Sequence, residues 1–179
     1  MDFTNIVYYI PVIAIIGIIA AFIIYNAVKK QPDGNEEMRE IAASIHDGAM
    51  AFLFREYKVL AVFIIVVALL MMFSPTLGIK TAAAFIFGAI SSVLAGYFGM
   101  SAATKANVRT SEAARSSGIA KALSVSYNGG AVMGLAVASL GLLGVGVLYI
   151  ILGNPENIQF INGFAMGASS IALFSRVGG

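Results

Sequence analysis

Five long uncharged stretches divide the chain of 179 residues. They cover residues 3–28, 59–79, 81–104, 122–155 and 157–175. A helix of about 20 apolar residues crosses the hydrocarbon core of a bilayer, and the stretches lack the two-residue alternation of barrel strands. Because lipid offers backbone groups no hydrogen-bond partner, the pattern predicts an all-α, multi-pass transmembrane bundle of five helices.

The flanking polar residues set the expected bounds of these helices and predict that they form one transmembrane unit. The bounds are about residues 4–28, 36–73, 79–115, 119–152 and 158–179. Asn35 is the expected N-cap of the second helix, and Glu36 and Glu37 suit the positive end of its dipole. That helix would be about 57 Å long, against a bilayer core of about 30 Å, so its first half extends beyond the membrane.

Both helices that extend beyond the membrane carry their own patterns. In the second helix, apolar residues at three- and four-residue spacing form a stripe that needs a packing partner. They are Met38, Ile41, Ile45, Ala49 and Phe52. In the third helix, Arg109, Glu112 and Arg115 follow each other at three-residue spacing, which predicts two ion pairs before Ser116, Ser117 and Gly118 end the helix.

Basic residues predict the orientation of the bundle. Nine Lys and Arg side chains lie between the first and second spans or between the third and fourth, whereas Lys80 alone lies on the other side. By the positive-inside rule the N-terminus is outside and both basic segments are cytoplasmic. The first span follows Asp2 rather than a basic region and is long for a signal peptide, so we expect it to be retained.

Composition removes several classes of function. Hydrophobic residues make up 59% of the chain, charged residues make up 11%, and the mean hydropathy is +0.90. There is no cysteine and only one histidine, so thiol chemistry and clustered His sites are excluded. No phosphate loop, Ser/His/Asp set or basic-aromatic nucleic-acid surface is found. All nine acidic residues lie outside the apolar spans, so the chain has no intramembrane acid to carry an ion by itself.

Two polar groups on the second helix have competing interpretations. Glu36, Glu40 and Asp47 could bind a divalent cation, but a solvated acidic face is favoured because hard cations need oxygens from several elements. His46 could shuttle protons, but no second group completes an acid–base pair, which favours a plain polar residue.

The last helix combines small residues with a single charge. Gly163 to Gly167 forms a G-x-x-x-G motif, as does Gly130 to Gly134 in the fourth helix, and packing within the chain is favoured over packing against another chain. Arg176 ends the last uncharged stretch. Spacing alone leaves open whether it snorkels to the interface or lies inside a bundle, but a helix with so few bulky residues favours the bundle.

Four strings of residues, taken together and in order, resemble the N-terminal part of the membrane-bound inorganic pyrophosphatases. These pumps couple hydrolysis of pyrophosphate to transport of protons or sodium ions. The strings are EEMREIAASIHDGAMAFLFREYKVL, KANVRTSEAAR, NGGAVMGLAV and GASSIALFSRVGG. The resemblance extends through essentially the whole chain.

The resemblance implies a fold and an activity. The chain would be the N-terminal part of a larger sixteen-helix pump, an inorganic diphosphatase that uses Mg²⁺ and in some members K⁺, and that forms a homodimer in the lipid bilayer. Its first four helices would belong to an outer ring and its fifth to an inner ring, with the active site on the cytoplasmic side. No nucleic-acid partner is expected.

The resemblance assigns one functional residue to this chain. Arg176 matches the arginine of the family's ion gate, where it meets carboxylates from other helices. The family's catalytic, cofactor-binding and metal-binding residues match no residue here, so none is assigned. We therefore expect an N-terminal fragment that is inactive alone. The alternatives are a complete five-helix membrane scaffold without catalysis and, less well supported, a small autonomous transporter that relies on Arg176.

Overall fold

Five helices make up the part of the chain that the computed structural model describes, residues 7–152 and 159–178. After a 3-10 turn at Val7–Tyr9, the helices run in order as α1 (Ile10–Lys29), α2 (Glu36–Phe73), α3 (Gly78–Ser117), α4 (Ile119–Leu152) and α5 (Gln159–Gly178). Within the described residues there is no strand, so the predicted all-α class is confirmed.

The helix termini follow the local sequence. The Asn35 side chain accepts a hydrogen bond of 2.9 Å from the backbone N–H of Met38, which confirms the predicted N-cap of α2. Pro11 lies in the first turn of α1, where its missing N–H costs no helical hydrogen bond. Gly118 separates α3 from α4 with a φ of 84°, a conformation that side chains other than glycine rarely adopt. The chain can therefore reverse direction within one residue.

Four of the helices are long and apolar enough to cross a membrane, namely α1 to α4. In α5 the apolar part is shorter and covers Phe160–Ser175. Its crossing of the membrane therefore stays a prediction. Isoleucines such as Ile16 and Ile23 of α1 are more than half exposed, as expected for side chains that face lipid.

The long helix α3 lies at the centre of the bundle. It packs against α2, α4 and α5, while α1 packs mainly against α4 and touches α3 as well. Residues across these contacts show the directions of the helices. Tyr57 of α2 bonds to Val93 of α3 while His46 lies beside Thr104, so α2 and α3 are antiparallel.

The pairing of α5 with α3 is parallel. A side chain on Gly163 would collide with Thr81, and one on Gly167 would collide with Phe85, so both partners advance by four residues. The C-terminal ends of α5 and α3 therefore lie at the same end of the bundle, with the start of α2. We call this the basic end, because most of the Lys and Arg residues lie there.

One of the two G-x-x-x-G motifs makes the predicted contact within the chain. A Cβ atom on Gly167 would overlap the carbonyl oxygen of Phe85, and one on Gly163 would lie 2.6 Å from the carbonyl oxygen of Thr81. In contrast, a Cβ atom on Gly130 or Gly134 would meet nothing within 4 Å. The second motif therefore lies at no close contact in the described part of the chain.

The predicted apolar stripe of α2 is only partly covered. Met38 is half-buried beside α3, but Ile41 and Ile45 remain 55% and 43% exposed. Ala42 and His46, which are not part of the stripe, are half-buried beside α3. The stripe predicted from spacing therefore lies at the edge of the contact with α3, where Ile41 and Ile45 line a cavity together with Asn107 of α3.

The two motifs provide a matched pair of substitutions. Gly167→Ala should lower the melting temperature of the detergent-solubilised chain, because the added methyl group forces two backbones apart. Gly134→Ala places the same methyl group in open space, and it should leave the melting temperature unchanged or raise it, because alanine is the better helix former. Equal effects of the two substitutions on thermal unfolding, followed by circular dichroism, would contradict the packing described.

Candidate functional site

The packing of α5 against α3 fixes the position of the last helix in the bundle, and with it the level at which Arg176 lies. Ile171 is 1% exposed and packs in one cluster with Leu60 of α2 and Ala89 of α3. One turn further on, the rings of Phe174 and Phe63 meet edge to face with centroids 5.1 Å apart. These contacts hold the C-terminal half of α5 against both α2 and α3.

A cavity of about 570 Å³ opens between α2, α3, α4 and α5. Most of its lining is apolar or small, including Gly96, Gly99 and Gly141, but five polar side chains also line it. They are Glu56, Ser91, Ser92, Ser169 and Ser175. Ser91 donates its hydroxyl proton to the carbonyl of Phe87 at 2.9 Å. Among the residues that line the cavity, Glu56 is the one with an ionisable side chain.

The carboxylate of Glu56 is the unusual feature of this cavity. Both of its oxygens are buried from solvent, and neither has a hydrogen-bond partner among the described residues. A carboxylate removed from water without a donor or a cation is strongly destabilising. Next to it, Tyr57 has a partner, because its hydroxyl donates to the carbonyl of Val93 at 3.0 Å.

Sequence reasoning missed Glu56. It lies three residues before the second uncharged stretch, and it was therefore counted among the nine acidic residues outside the spans. The spacing of Leu53, Glu56 and Leu60, at three and four residues, places all three on one face of α2, and the two leucines are buried. The spacing of Glu56 from two buried leucines is therefore the signal in the sequence that could have predicted a buried carboxylate. The charge of Glu56 favoured the opposite prediction, an exposed side chain.

Arg176 lies in the last turn of α5. Its side chain is outside the described part of the structure, so its role in an ion gate stays a prediction. The preceding residues that line the cavity, Ala168, Ala172 and Ser175, show which face of α5 the cavity meets.

At the basic end, Arg109 joins three segments of the chain. Its guanidinium donates to the carbonyl of Lys29 at 3.3 Å and to that of Lys105 at 2.9 Å, and it lies 3.8 Å from the carboxylate of Asp33. The expected ion pair of Arg109 with Glu112 is therefore wrong, because Asp33 and the C-terminal end of α1 offer acceptors that only the folded chain brings near.

The second predicted ion pair of α3 is confirmed. Arg115 donates to both carboxylate oxygens of Glu112, at 2.9 and 3.0 Å. This contact with Glu112 raises the pKa of the exposed Arg115 guanidinium above its ordinary value, because the hydrogen bonds and the charge of Glu112 favour the charged form. Glu112 itself is buried, and the pair neutralises its charge.

The structure bears on both of the competing interpretations of the polar groups of α2. Nδ1 of His46 lies 2.8 Å from the hydroxyl oxygen of Thr104, which donates its own proton to the carbonyl of Met100. This hydrogen bond between His46 and Thr104 joins α2 to α3. Within residues 7–152 and 159–178, no three His, Asp or Glu side chains come together as metal ligands.

The arrangement defines a class of protein first. Three features are typical of a multi-pass membrane protein: four helices of membrane-spanning length, glycines where a fifth helix packs closely, and a buried charge that faces a cavity. Residues 15–179 match the family model described as inorganic H⁺ pyrophosphatase, so the chain belongs to this family.

Individual relatives are consistent with this membership. A Clostridium tetani protein that carries the name of a K⁺-stimulated pyrophosphate-energized sodium pump is 52% identical over 165 residues, or 92% of this chain and 24% of the relative. A K⁺-insensitive pyrophosphate-energized proton pump of Methanosarcina mazei is 44% identical over 169 residues, which are 94% of this chain and 25% of the relative. A K⁺-stimulated sodium pump of Thermotoga maritima is 40% identical over 190 residues, which are 95% of this chain and 26% of the relative. The chain thus spans about a quarter of the length of these relatives.

Arg109 generates a prediction about the basic end. Arg109→Ala should lower the melting temperature by about 3 °C or more, because it removes charged hydrogen bonds from a side chain that is 13% exposed. Deuterium exchange of the backbone at residues 30–35 should also increase.

The matched control is Arg39→Ala, since Arg39 also lies 3.8 Å from Asp33 but is 55% exposed. An exposed pair contributes little, so this variant should shift the melting temperature by about 2 °C or less. If the two variants behave alike, Arg109 does not hold the basic end together.

Proposed function

We propose that the chain is the N-terminal part of an ion pump driven by hydrolysis of pyrophosphate, and that it supplies structural helices and one gate residue rather than the hydrolytic site. The observation that carries this proposal is the family match over residues 15–179, together with relatives named for such pumping. The relatives include both proton and sodium pumps, so the class of transported ion is a monovalent cation.

Within the pump, the chain would form one transmembrane unit with its basic end on the cytoplasmic side. The distribution of Lys and Arg supports this orientation. So does the parallel pairing of α5 with α3, because it brings Arg176 to the same end as the extensions of α2 and α3.

Magnesium and potassium would act outside this chain. Magnesium chemistry needs converging oxygen ligands, and no such group lies within the described residues. By the family resemblance, the residues that bind magnesium match none of the residues of this chain. The names of the relatives mention K⁺ stimulation or insensitivity, and the determinants of that difference are proposed to lie in the remaining three-quarters of the pump. A homodimer is proposed on the family resemblance alone.

The proposed contribution of Arg176 is electrostatic. A guanidinium stays charged at all physiological pH values and repels cations along a narrow path unless carboxylates pair with it. A helix whose glycines allow close packing against its neighbour holds such a charge at a fixed depth in the bundle. Formation and release of ion pairs at Arg176 would then open or close the path for the transported ion.

The whole proposal can be tested with a split pump. We expect residues 1–179 and the complementary C-terminal three-quarters of a full-length relative to restore pyrophosphate hydrolysis and cation transport in vesicles only when both are expressed. Hydrolysis by the C-terminal part alone, at the level of the intact pump, would contradict a required role for this chain. A stable, monodisperse chain that never joins the complementary part would favour the scaffold instead.

Arg176 has its own test in a full-length pump that carries this segment. Arg176→Ala should lower the number of ions transported per pyrophosphate hydrolysed, because the gate loses its positive charge. Lys121→Ala, which removes an exposed charge near the start of α4, should leave this ratio unchanged. An unchanged ratio in the Arg176 variant would remove the gate role while leaving family membership intact.

A further inference from the structure

The buried carboxylate of Glu56 and the end of α5 lie in the same layer of the bundle. The contacts between α5 and α3 advance in step, from Gly163 at Thr81 to Gly167 at Phe85, and Ile171 then packs with Ala89. Continued by one helical turn, this register brings Ser175 level with Val93. The carbonyl of Val93 is the acceptor for Tyr57, the neighbour of Glu56.

The antiparallel pairing of α2 with α5 gives the same result. Leu60 and Ile171 pack in one cluster. One turn towards the basic end from this cluster, α2 reaches Glu56 and α5 reaches Ser175, and both residues line the same cavity. Arg176 follows directly, four residues after the cavity-lining Ala172 in the helix.

Charge then identifies the class of partner that Glu56 needs. Its two oxygens are shielded from water and receive no hydrogen bond within the described residues, so a cationic donor would relieve a large desolvation cost. Its basic neighbours on α2, Arg55 and Lys58, are exposed on other faces of the helix. The basic residue that the helix register brings to the same layer from another helix is Arg176.

We propose that Glu56 is a positioning residue for Arg176 and that the two form an ion pair between α2 and α5. The outer helix α2 would thereby set the position of the gate charge, and carboxylates elsewhere in the pump would compete with Glu56 for it. The significance of Arg176 rests on the proposed function, but the ion pair itself does not.

The pair is tested by a double-mutant cycle on the detergent-solubilised chain. Glu56→Gln and Arg176→Gln should each lower the melting temperature by about 5 °C or more, because each leaves one buried charge without a partner. The double variant should lose no more than either single variant. The charge exchange Glu56→Arg with Arg176→Glu should recover at least part of the loss.

Arg55→Gln is the matched control, because it changes an exposed charge next to Glu56 and should leave the melting temperature unchanged. Additive effects of the two single variants would overturn the pair. So would a Glu56→Gln variant as stable as the original chain, since it would show that the Glu56 side chain needs no cationic partner.

The positioning role has a separate readout in the full-length pump. Glu56→Gln should lower the number of ions transported per pyrophosphate hydrolysed, as Arg176→Ala does, whereas a purely structural residue would lower hydrolysis and transport together. A normal ratio for Glu56→Gln alongside a reduced one for Arg176→Ala would overturn the positioning role. A normal ratio for Arg176→Ala would instead count against the proposed gate, and the melting-temperature cycle would still decide whether the pair exists.

Discussion

The close approach of two helix backbones is the contact on which the rest of this structure depends. At Gly167 and Gly163, the backbone of α5 lies so near to that of α3 that a single methyl group would collide with a carbonyl oxygen. The hydrophobic effect does not drive apolar helices to associate in lipid, so such contacts must be stabilised by packing at short range. The glycines permit this approach, and it fixes both the depth and the direction of α5.

The position of α5 determines what the cavity can do. Because α5 is parallel to α3, its last turn lies in the same layer as Glu56, and a mostly apolar cavity contains a carboxylate at one end. The low polarity of the lining makes an unpaired charge there costly and a paired one strong. This combination is what the proposed gate would use, since the partner chosen by one charge would change the path of an ion.

Different interactions hold the helices together at the basic end. Its helices extend beyond the membrane-length segments, and polar contacts between them add to the apolar packing of Ala113 against Ala122 and Val125. Arg109 ties the C-terminal end of α1 and Asp33 to α3, while His46 and Thr104 join α2 to α3. Ile41 and Ile45 stay exposed beside these contacts. The exposed apolar residues of α2 therefore lie next to the residues that join α2 to α3.

The sequence by itself determined the five helices, the cap at Asn35, the break at Gly118 and the family, because these depend on local periodicity, turn chemistry and ordered motifs. The tertiary structure decided what depends on neighbours distant in the chain. Both G-x-x-x-G motifs looked alike, yet only Gly163 and Gly167 meet another backbone. Arg109 had an acceptor at three-residue spacing but binds Asp33 instead, and Glu56 passed as an ordinary polar residue until both of its oxygens proved to be buried. Spacing along a helix places a residue on a face, but the energy of a charge or a glycine depends on what the fold brings against that face.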